Sequence, residues 1–211
     1  MDKQKINTTL HTARTTLTLL TGADLPAMEA LAREPDTFKY IRKLRVMSPE
    51  QYTQFLHAKL EQIRTGAGYH WAVWLKDNFT YPARISPEQS GPSGPPSHFI
   101  GAVNLNPIKS SALSNGPARM QIGCQLKRDY WGQGFASELT ARLLHFAIHE
   151  LNLPAVYGVF QQDNDISRRL LEKLGFVFEE RLQEQEVVAE VHKYEPPARS
   201  VSPPADPHLP N

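Results

Sequence analysis

A glycine-containing loop before an amphipathic stretch is the part of this sequence best suited to binding an anion. Residues 126–136 read Leu-Lys-Arg-Asp-Tyr-Trp-Gly-Gln-Gly-Phe-Ala, and the residues that follow have the apolar spacing of a helix. Gly132 and Gly134 permit a tight turn because neither carries a Cβ atom. A helix that begins here directs its free N–H groups and the positive end of its dipole at the loop. The pattern predicts a phosphate site, although many helices simply begin after a glycine turn.

A second polar turn and helix follow later in the chain. The run 155–160, Ala-Val-Tyr-Gly-Val-Phe, is apolar and has the length of a buried strand. It leads into 163–176, Asp-Asn-Asp-Ile-Ser-Arg-Arg-Leu-Leu-Glu-Lys-Leu-Gly-Phe, where polar residues begin a helix and Gly175 ends it. The predicted order is strand, glycine loop, helix, strand, polar turn, helix and glycine stop.

With both segments in view, the sequence resembles the GNAT superfamily of acetyl-CoA-dependent N-acetyltransferases, and within it the RimJ/RimL-like branch of ribosomal-protein acetyltransferases. The segments at 130–136 and 164–176 are similar to the two signature segments of that branch. The resemblance covers residues 12–194 and is strongest over 121–180. It implies a mixed α/β (α+β) fold, with a mostly antiparallel central sheet, one splayed pair of parallel strands and flanking helices. The implied activity is direct transfer of acetyl from acetyl-CoA to a primary amine, either a protein N-terminal α-amine or a small molecule.

The resemblance implies which residues bind the diphosphate of coenzyme A. They contribute the backbone N–H groups of five consecutive residues: Gly132, Gln133, Gly134, Phe135 and Ala136. Lys127 and Arg128 are candidates for binding the 3′-phosphate, but two basic residues beside a loop are also an ordinary protein surface. Much of the superfamily opens this loop with Gln or Arg. Trp131 stands at that position here, and we expect it to pack rather than to contact phosphate.

The pantetheine arm lies between two splayed parallel strands in the family that this sequence resembles. The resemblance implies that backbone groups of Ile122, Gly123 and Cys124 pair with this arm, and that an N–H near Ile122 or Gly123 polarises the thioester carbonyl. Gly123 suits a bulge or the close approach of a ligand, or is an ordinary glycine of a central strand. We expect Cys124 to be a small core residue, because direct transfer needs no nucleophile on the enzyme.

Asn164 and Ser167 stand at the start of the second predicted helix. From the sequence alone, Asn164 or Asp163 caps this helix and Ser167 lies in its first turn. The resemblance implies instead that the Asn164 amide contacts pantetheine and that the Ser167 hydroxyl faces the sulfur. Many relatives place a tyrosine general acid in a Leu-Tyr-Glu-Lys-Leu-Gly-Phe pattern, where this sequence has Leu171. Ser167 is therefore the predicted proton donor, directly or through water.

Several residues are candidates for the general base. Relatives often carry a glutamate where this sequence has Gln121, and an amide cannot take a proton at neutral pH. Glu138 is close to the loop but also suits the dipole of its own helix. His70 and His98 flank strands, where lone histidines are usually structural. An α-amine titrates near pH ~8 and a lysine near ~10.4, so the missing glutamate favours α-amine acceptors or deprotonation through water.

Composition narrows the class of protein. The 211 residues suffice for one hydrophobic core, and the formal net charge of +1 predicts neither a nucleic-acid nor a membrane partner. Cys124 is the only cysteine, which excludes an internal disulfide and a cysteine-based zinc site. The sequence therefore predicts a cytoplasmic protein without a metal, since no apolar run approaches the ~18 residues of a membrane span.

The remaining elements must position this site. Apolar alternation and turn signals predict strands over 15–20, 71–76, 99–108, 119–126, 155–160, 178–184 and 187–194. Capping boxes at 21–24 and 48–51 predict two helices before the glycine loop. We expect a flexible N-terminus at 1–11 and a domain over 12–194. Proline-rich composition predicts a surface insertion or lid at 77–97 and a disordered tail at 195–211.

The short C-terminal segment leaves the function open between three possibilities. The branch usually closes its acceptor pocket with a hairpin, and 184–195 predicts either a compact hairpin or a missing last strand. An active N-acetyltransferase, monomeric or homodimeric, is the favoured interpretation. The alternative is a catalytically weak or inactive acyl-CoA-binding relative. A generic nucleotide-binding protein is disfavoured because the loop lacks the Gly-Lys-Ser/Thr ending and the dinucleotide fingerprint.

Overall fold

One eight-stranded sheet and four α-helices form most of the described part of the protein, and a π-helical segment, Phe146–Glu150, continues the third of these helices. The computed structural model describes residues 7–34, 39, 47–76, 98–108, 119–184 and 187–197. The strands are β1 Leu10–His11, β2 Thr15–Leu19, β3 Tyr69–Leu75, β4 Phe99–Pro107, β5 Met120–Leu126, β6 Val156–Gln161, β7 Val177–Glu184 and β8 Val187–Tyr194. The helices are α1 Leu25–Ala32, α2 Pro49–Thr65, α3 Phe135–His145 and α4 Asp165–Lys173.

The strand order is β1-β2-β3-β4-β5-β6-β8-β7. All neighbouring strands are antiparallel except β5 and β6, which are parallel. Helix α3 connects this parallel pair, as a crossover between parallel strands requires. The predicted mixed and mostly antiparallel sheet is therefore confirmed.

Local side-chain hydrogen bonds explain where α2 begins. The Ser48 hydroxyl accepts the N–H of Gln51 at 3.3 Å, and the Gln51 side chain accepts the N–H of Ser48 at 2.9 Å. This reciprocal pair is the predicted capping box. Gly66 ends the helix with a left-handed φ of 69°. The box at 21–24 differs, because it forms a 3₁₀ turn and α1 begins only at Leu25.

Helices cover the two faces of the sheet in pairs. Helices α3 and α4 pack on one face, in a buried cluster that includes Leu139, Leu143, Leu171, Ile122 and Val103. Helices α1 and α2 pack on the other face, where Met28, Leu31, Tyr52 and Leu56 cover Ala72 and Ala102. A third cluster, formed by Tyr157, Leu182 and Val191, lies on the same face as α1 and α2, over β6 to β8. The strands β4 and β5 run between these last two clusters.

The N-terminal end of the domain differs from the sequence prediction, whereas the C-terminal end agrees with one of the predicted alternatives. Leu10 is fully buried and pairs with Leu17, so residues 10 and 11 form β1 rather than part of a flexible N-terminus. At the other end, β7 and β8 each have eight residues and pair along their length, which is the compact form of the hairpin. The predicted insertion at 77–97 and residues 198–211 of the predicted tail lie outside the described residues. None of the described helices has the length and apolar composition needed to cross a membrane.

Candidate active site

The glycine loop adopts the backbone conformation that its sequence requires. Gly132 and Gly134 have φ angles of 71° and 81°, in the left-handed region that favours glycine. Gly134 caps α3, and the first backbone bond of the helix runs from the N–H of Glu138 to the Gly134 carbonyl at 3.1 Å. The N–H groups of the preceding helical residues, 135–137, therefore have no carbonyl partner within the helix. These groups and the exposed glycines form a cradle that fits an anion.

Side chains within the loop hold this conformation. The Trp131 indole N–H donates to the Leu126 carbonyl at 2.7 Å, so this tryptophan braces the loop even though 42% of it is exposed. The Gln133 side chain donates to the Asp129 carbonyl at 2.6 Å. Lys127 and Arg128 lie where β5 ends and the loop begins. They are therefore next to the anion cradle along the chain, and Nζ of Lys127 lies 5.5 Å from the centre of the Phe99 ring.

Arg14 also holds the loop, and sequence analysis missed it. Its guanidinium donates to the Gln133 carbonyl at 2.9 Å, pairs with Glu138 at 2.6 Å and lies 3.8 Å from the centre of the Phe135 ring. Burial raises the pKa of Glu138, but hydrogen bonds from Thr12 and Arg14 outweigh it and bring the pKa below its usual value. Glu138 is therefore a paired carboxylate, which is unsuited to act as a base. No sequence signal links Arg14 to a loop 119 positions away.

Strands β5 and β6 pair at one register and then separate. Backbone bonds from Lys127 to Ile100 (2.9 Å) and from Ile108 to Arg119 (2.8 Å) fix the alternation of β5 against β4. By this alternation, Gly123 directs its N–H and carbonyl at β4, and its pairing with β4 is free of any register shift. The even-numbered residues of β5 direct their backbone N–H and carbonyl groups toward β6.

The N–H of Cys124 faces the opening between these two strands. The two strands pair at one described register, Gln121 with Tyr157. Because Gln121 directs its own backbone groups at β4, this pairing uses the neighbouring residues of β5, including the N–H of Ile122. Cys124 is the next residue to point the same way. Burial raises the pKa of its thiol to about 12, so the side chain is a neutral thiol at neutral pH. The opening therefore offers a backbone donor beside a protonated cysteine.

Asn164 and Ser167 lie together at the start of α4. The Asn164 side chain accepts the Ser167 N–H at 3.1 Å, which makes Asn164 the cap of this helix. The Ser167 hydroxyl is half-buried and has no hydrogen-bond partner within the described ranges. Leu171 is buried, and its methyl carbon lies 2.3 Å from the position a Cβ on Gly158 would occupy. Leucine thus fills the space above β6 at the position where many relatives have tyrosine.

The face that carries α1 and α2 presents amides between its two apolar clusters. We call Asn104, Asn106 and Gln121 the amide strip, because they lie side by side on β4 and β5. His70 pairs with Asn104 from β3, and its Nε2 lies 2.8 Å from Oε1 of Gln62. Burial, together with the charge of Lys59, lowers the pKa of His70 to about 3, so His70 is neutral at neutral pH. His98 lies outside this row, just before β4.

A family model supports the same assignment as this geometry. The model of the GNAT acetyltransferase domain matches residues 14–177. The chain belongs to the GNAT acetyltransferase family. The uncharacterized N-acetyltransferase YoaA of Bacillus subtilis is 24% identical over 79% of this chain and 81% of its own length. The uncharacterized N-acetyltransferase p20 of Bacillus licheniformis is 25% identical over 84% of this chain and 87% of its own length. The protein is therefore an N-acetyltransferase by family.

Solved structures of acetyltransferases share the fold of this GNAT chain. An acetyltransferase from Agrobacterium tumefaciens has a TM-score of 0.65 at 20% identity, over 93% of this chain and 99% of its own. Spermidine N-acetyltransferase from Vibrio cholerae, in complex with CoA and spermine, has a TM-score of 0.62 at 19% identity, over 86% of this chain and 95% of its own. RimL, the ribosomal L7/L12 α-N-protein acetyltransferase, in complex with coenzyme A, has a TM-score of 0.64 at 14% identity, over 90% of this chain and 96% of its own.

Proposed function

We propose that this GNAT enzyme binds acetyl-CoA along the opening between β5 and β6 and transfers the acetyl group directly to a primary amine. The separation of this parallel pair beyond one register is the observation that carries the proposal. The N–H of Cys124, which faces the opening, belongs to no described register pair with β6, and the anion cradle lies at the end of the same strand. A thioester arm ending in a diphosphate fits that combination.

The chain's own residues divide the work of holding the donor. The diphosphate is held by backbone N–H groups of the loop and of the first turn of α3: Gly132, Gln133, Gly134, Phe135 and Ala136. Lys127 and Arg128 bind the 3′-phosphate. The Ile122 carbonyl and the Cys124 N–H pair with the pantetheine arm, and Asn164 contacts it from α4. The register favours Cys124, rather than Gly123, as the backbone donor to the thioester carbonyl.

Acetyl-CoA supplies a thioester whose C–S bond breaks as the amine nitrogen bonds to the acetyl carbon, the amine loses a proton and the sulfur gains one. Ser167 donates the proton to the sulfur, directly or through water, because its hydroxyl has no hydrogen-bond partner among the described residues. The Cys124 thiol takes no covalent part, since it remains protonated at neutral pH. Gln121 and the paired Glu138 leave deprotonation of the amine to solvent.

Two of the proteins that share this fold support an amine acceptor. Their names assign spermidine to one and the α-amine of ribosomal protein L7/L12 to the other. We propose that this chain belongs to the RimJ/RimL-like branch and prefers α-amines, because Gln121 replaces the glutamate that would help a lysine. The alternative is a catalytically weak acyl-CoA-binding relative, which Gln121 and Leu171 favour.

Replacing Ser167 with alanine tests the proposed proton donor. We expect Ser167→Ala to lower kcat about 10²-fold, the lower range of general-acid effects, with an unchanged Kd for acetyl-CoA. The Kd is preserved because the backbone bond from residue 167 to Asn164 remains. Coenzyme A release over a panel of primary amines measures the effect, and Ser167→Thr should recover part of it. If wild type binds acetyl-CoA but acetylates none of the amines, the inactive-relative alternative replaces this proposal.

The acceptor preference predicts a specific dependence on pH. Without a protein base, kcat/KM follows the neutral fraction of the amine, which levels off above pH ~8 for an α-amine and rises until pH ~10.4 for a lysine. At pH ~7.5, the neutral fraction of the α-amine is about 200-fold larger. Matched peptides with one free α-amine or one free lysine measure the ratio. Equal rates at that pH would show that the enzyme supplies a base.

A further inference from the structure

We propose that Asn104 binds the acceptor amine through its side-chain amide, an inference that rests on the acetyltransferase function proposed above. Asn104 lies in the middle of β4 on the face that carries α1 and α2. It pairs with Gly123 of β5, one residue before the N–H of Cys124 that faces the strand opening. The amide strip therefore adjoins the place where the thioester is expected.

The Asn104 amide occupies the space that a side chain at position 123 would fill. A Cβ atom on Gly123 would lie 2.6 Å from Nδ2 and 2.9 Å from Oδ1 of Asn104. Real Cβ atoms do not approach other atoms this closely, so any side chain at position 123 would displace the amide. The sequence suggested a bulge, a ligand contact or an ordinary strand for this glycine. The structure indicates that the absence of a side chain at Gly123 allows the Asn104 amide to lie over β5.

The Asn104 amide is available to a ligand. It is half-buried in a central strand, yet it has no hydrogen-bond partner in the part of the chain that the structure describes. Its amide atoms are not among the fully buried side-chain atoms that lack a partner, so a ligand can reach them. Asn106 lies two residues further on the same face, but its amide donates to the Pro107 carbonyl at 3.3 Å. Asn104 is thus the amide of β4 that lacks a local partner.

An uncharged oxygen at this position suits an amine that must react in its neutral form. Oδ1 of Asn104 accepts one N–H of the amine, and the nitrogen lone pair remains free to attack. A carboxylate would also stabilise the protonated ammonium form and raise the pKa of the amine. The neighbours Gln121 and His70 are both neutral at neutral pH. The site therefore holds the amine without favouring its unreactive form.

Two substitutions of similar size separate this role from simple filling of space. We expect Asn104→Leu to lower kcat/KM about 10- to 100-fold for the panel amine with the highest turnover, with an unchanged Kd for acetyl-CoA. Asn106→Leu is the matched control and should stay within twofold of wild type. Asn104→Asp keeps the accepting oxygen but adds a charge that stabilises the ammonium form, so the increase of kcat with pH should occur at higher pH. Turnover of Asn104→Leu within twofold of wild type would overturn the proposal, because leucine fills the same space.

A binding measurement tests the same inference without turnover. Glycinamide is titrated into ¹⁵N-labelled protein with and without coenzyme A, and the Asn104 side-chain amide resonances are identified by their loss in Asn104→Leu. We expect these resonances to shift on saturation while those of Asn106 remain in place. Unmoved Asn104 resonances would contradict the amine site. A shift in a protein that acetylates no amine would support the site and reject only the proposed function.

Discussion

Replacing Gly134 with tryptophan is expected to abolish acetyl-CoA binding while the fold persists. Gly134 lies at the exposed turn into α3 with a φ of 81°, which an L side chain rarely adopts. A Cβ atom there would lie 3.6 Å from a guanidinium nitrogen of Arg14. The indole would therefore start within the anion cradle, beside Arg14, and compete with the diphosphate for space. We expect the Kd for acetyl-CoA to rise at least about 100-fold, equivalent to ~2.7 kcal/mol. Isothermal titration calorimetry measures it.

Gly66→Trp provides a matched control for this loss. Gly66 also has a left-handed φ, 69°, and open space around its Cβ position, but it ends α2 away from the loop. Both variants should lose about 1–2 kcal/mol of unfolding free energy to backbone strain. Only Gly134→Trp should lose acetyl-CoA. Normal binding by Gly134→Trp would place the diphosphate elsewhere, and equal losses in both variants would attribute the effect to instability.

The parts of the fold that the sequence predicted well are those encoded locally. The capping box at 48–51 places both partners within four residues, so the start of α2 follows from the sequence. The glycine loop is similarly local, since its left-handed positions need glycine whatever packs against them. Strand ends were less accurate. Strand β3 begins at Tyr69 rather than Trp71, because Tyr69 still pairs with Leu105 of β4.

Contacts across the sheet were beyond sequence analysis because they depend on strand register. The pairing of Asn104 with Gly123 requires the relative position of β4 and β5, and a shift of one residue would turn Asn104 to the opposite face. The contact of Arg14 with the glycine loop likewise depends on the pairing of β2 with β3, because Arg14 directly precedes β2. The conformation of the glycine loop was therefore predictable, whereas its contacts with Arg14 and the pairing of Asn104 with Gly123 required the three-dimensional structure.

A buried carboxylate on β8 ties the start of α4 to the sheet. Glu190 is only 5% exposed and accepts hydrogen bonds from Arg168 Nε at 3.1 Å and from His192 Nε2 at 3.3 Å. Arg181 of β7 also lies 3.7 Å away. Arg168 follows Ser167 directly and donates to the Gln162 carbonyl at 2.5 Å. The network thus connects β8 with the turn that positions the proposed proton donor.

Replacing Glu190 with glutamine is expected to lower the free energy of unfolding by about 2–3 kcal/mol at neutral pH. The substitution preserves size but removes the charge that Arg168 and His192 face. Burial raises the pKa of Glu190, yet the hydrogen bonds from Arg168 and His192 outweigh it and bring the pKa below its usual value. A lowered pKa stabilises the fold above the unfolded value of ~4.3, and this contribution disappears as pH falls through the folded pKa.

Urea unfolding of wild type and Glu190→Gln between neutral pH and about pH 3 measures this difference, which should be largest above pH ~5 and shrink below pH ~4. Glu61→Gln is the control, because Glu61 forms an exposed ion pair with Arg64 and should have little effect at any pH. A constant difference across the pH range would mean that glutamine disturbs packing rather than the charge. Since Arg168 adjoins Ser167, loss of this charge should also reduce kcat more than it changes the Kd for acetyl-CoA.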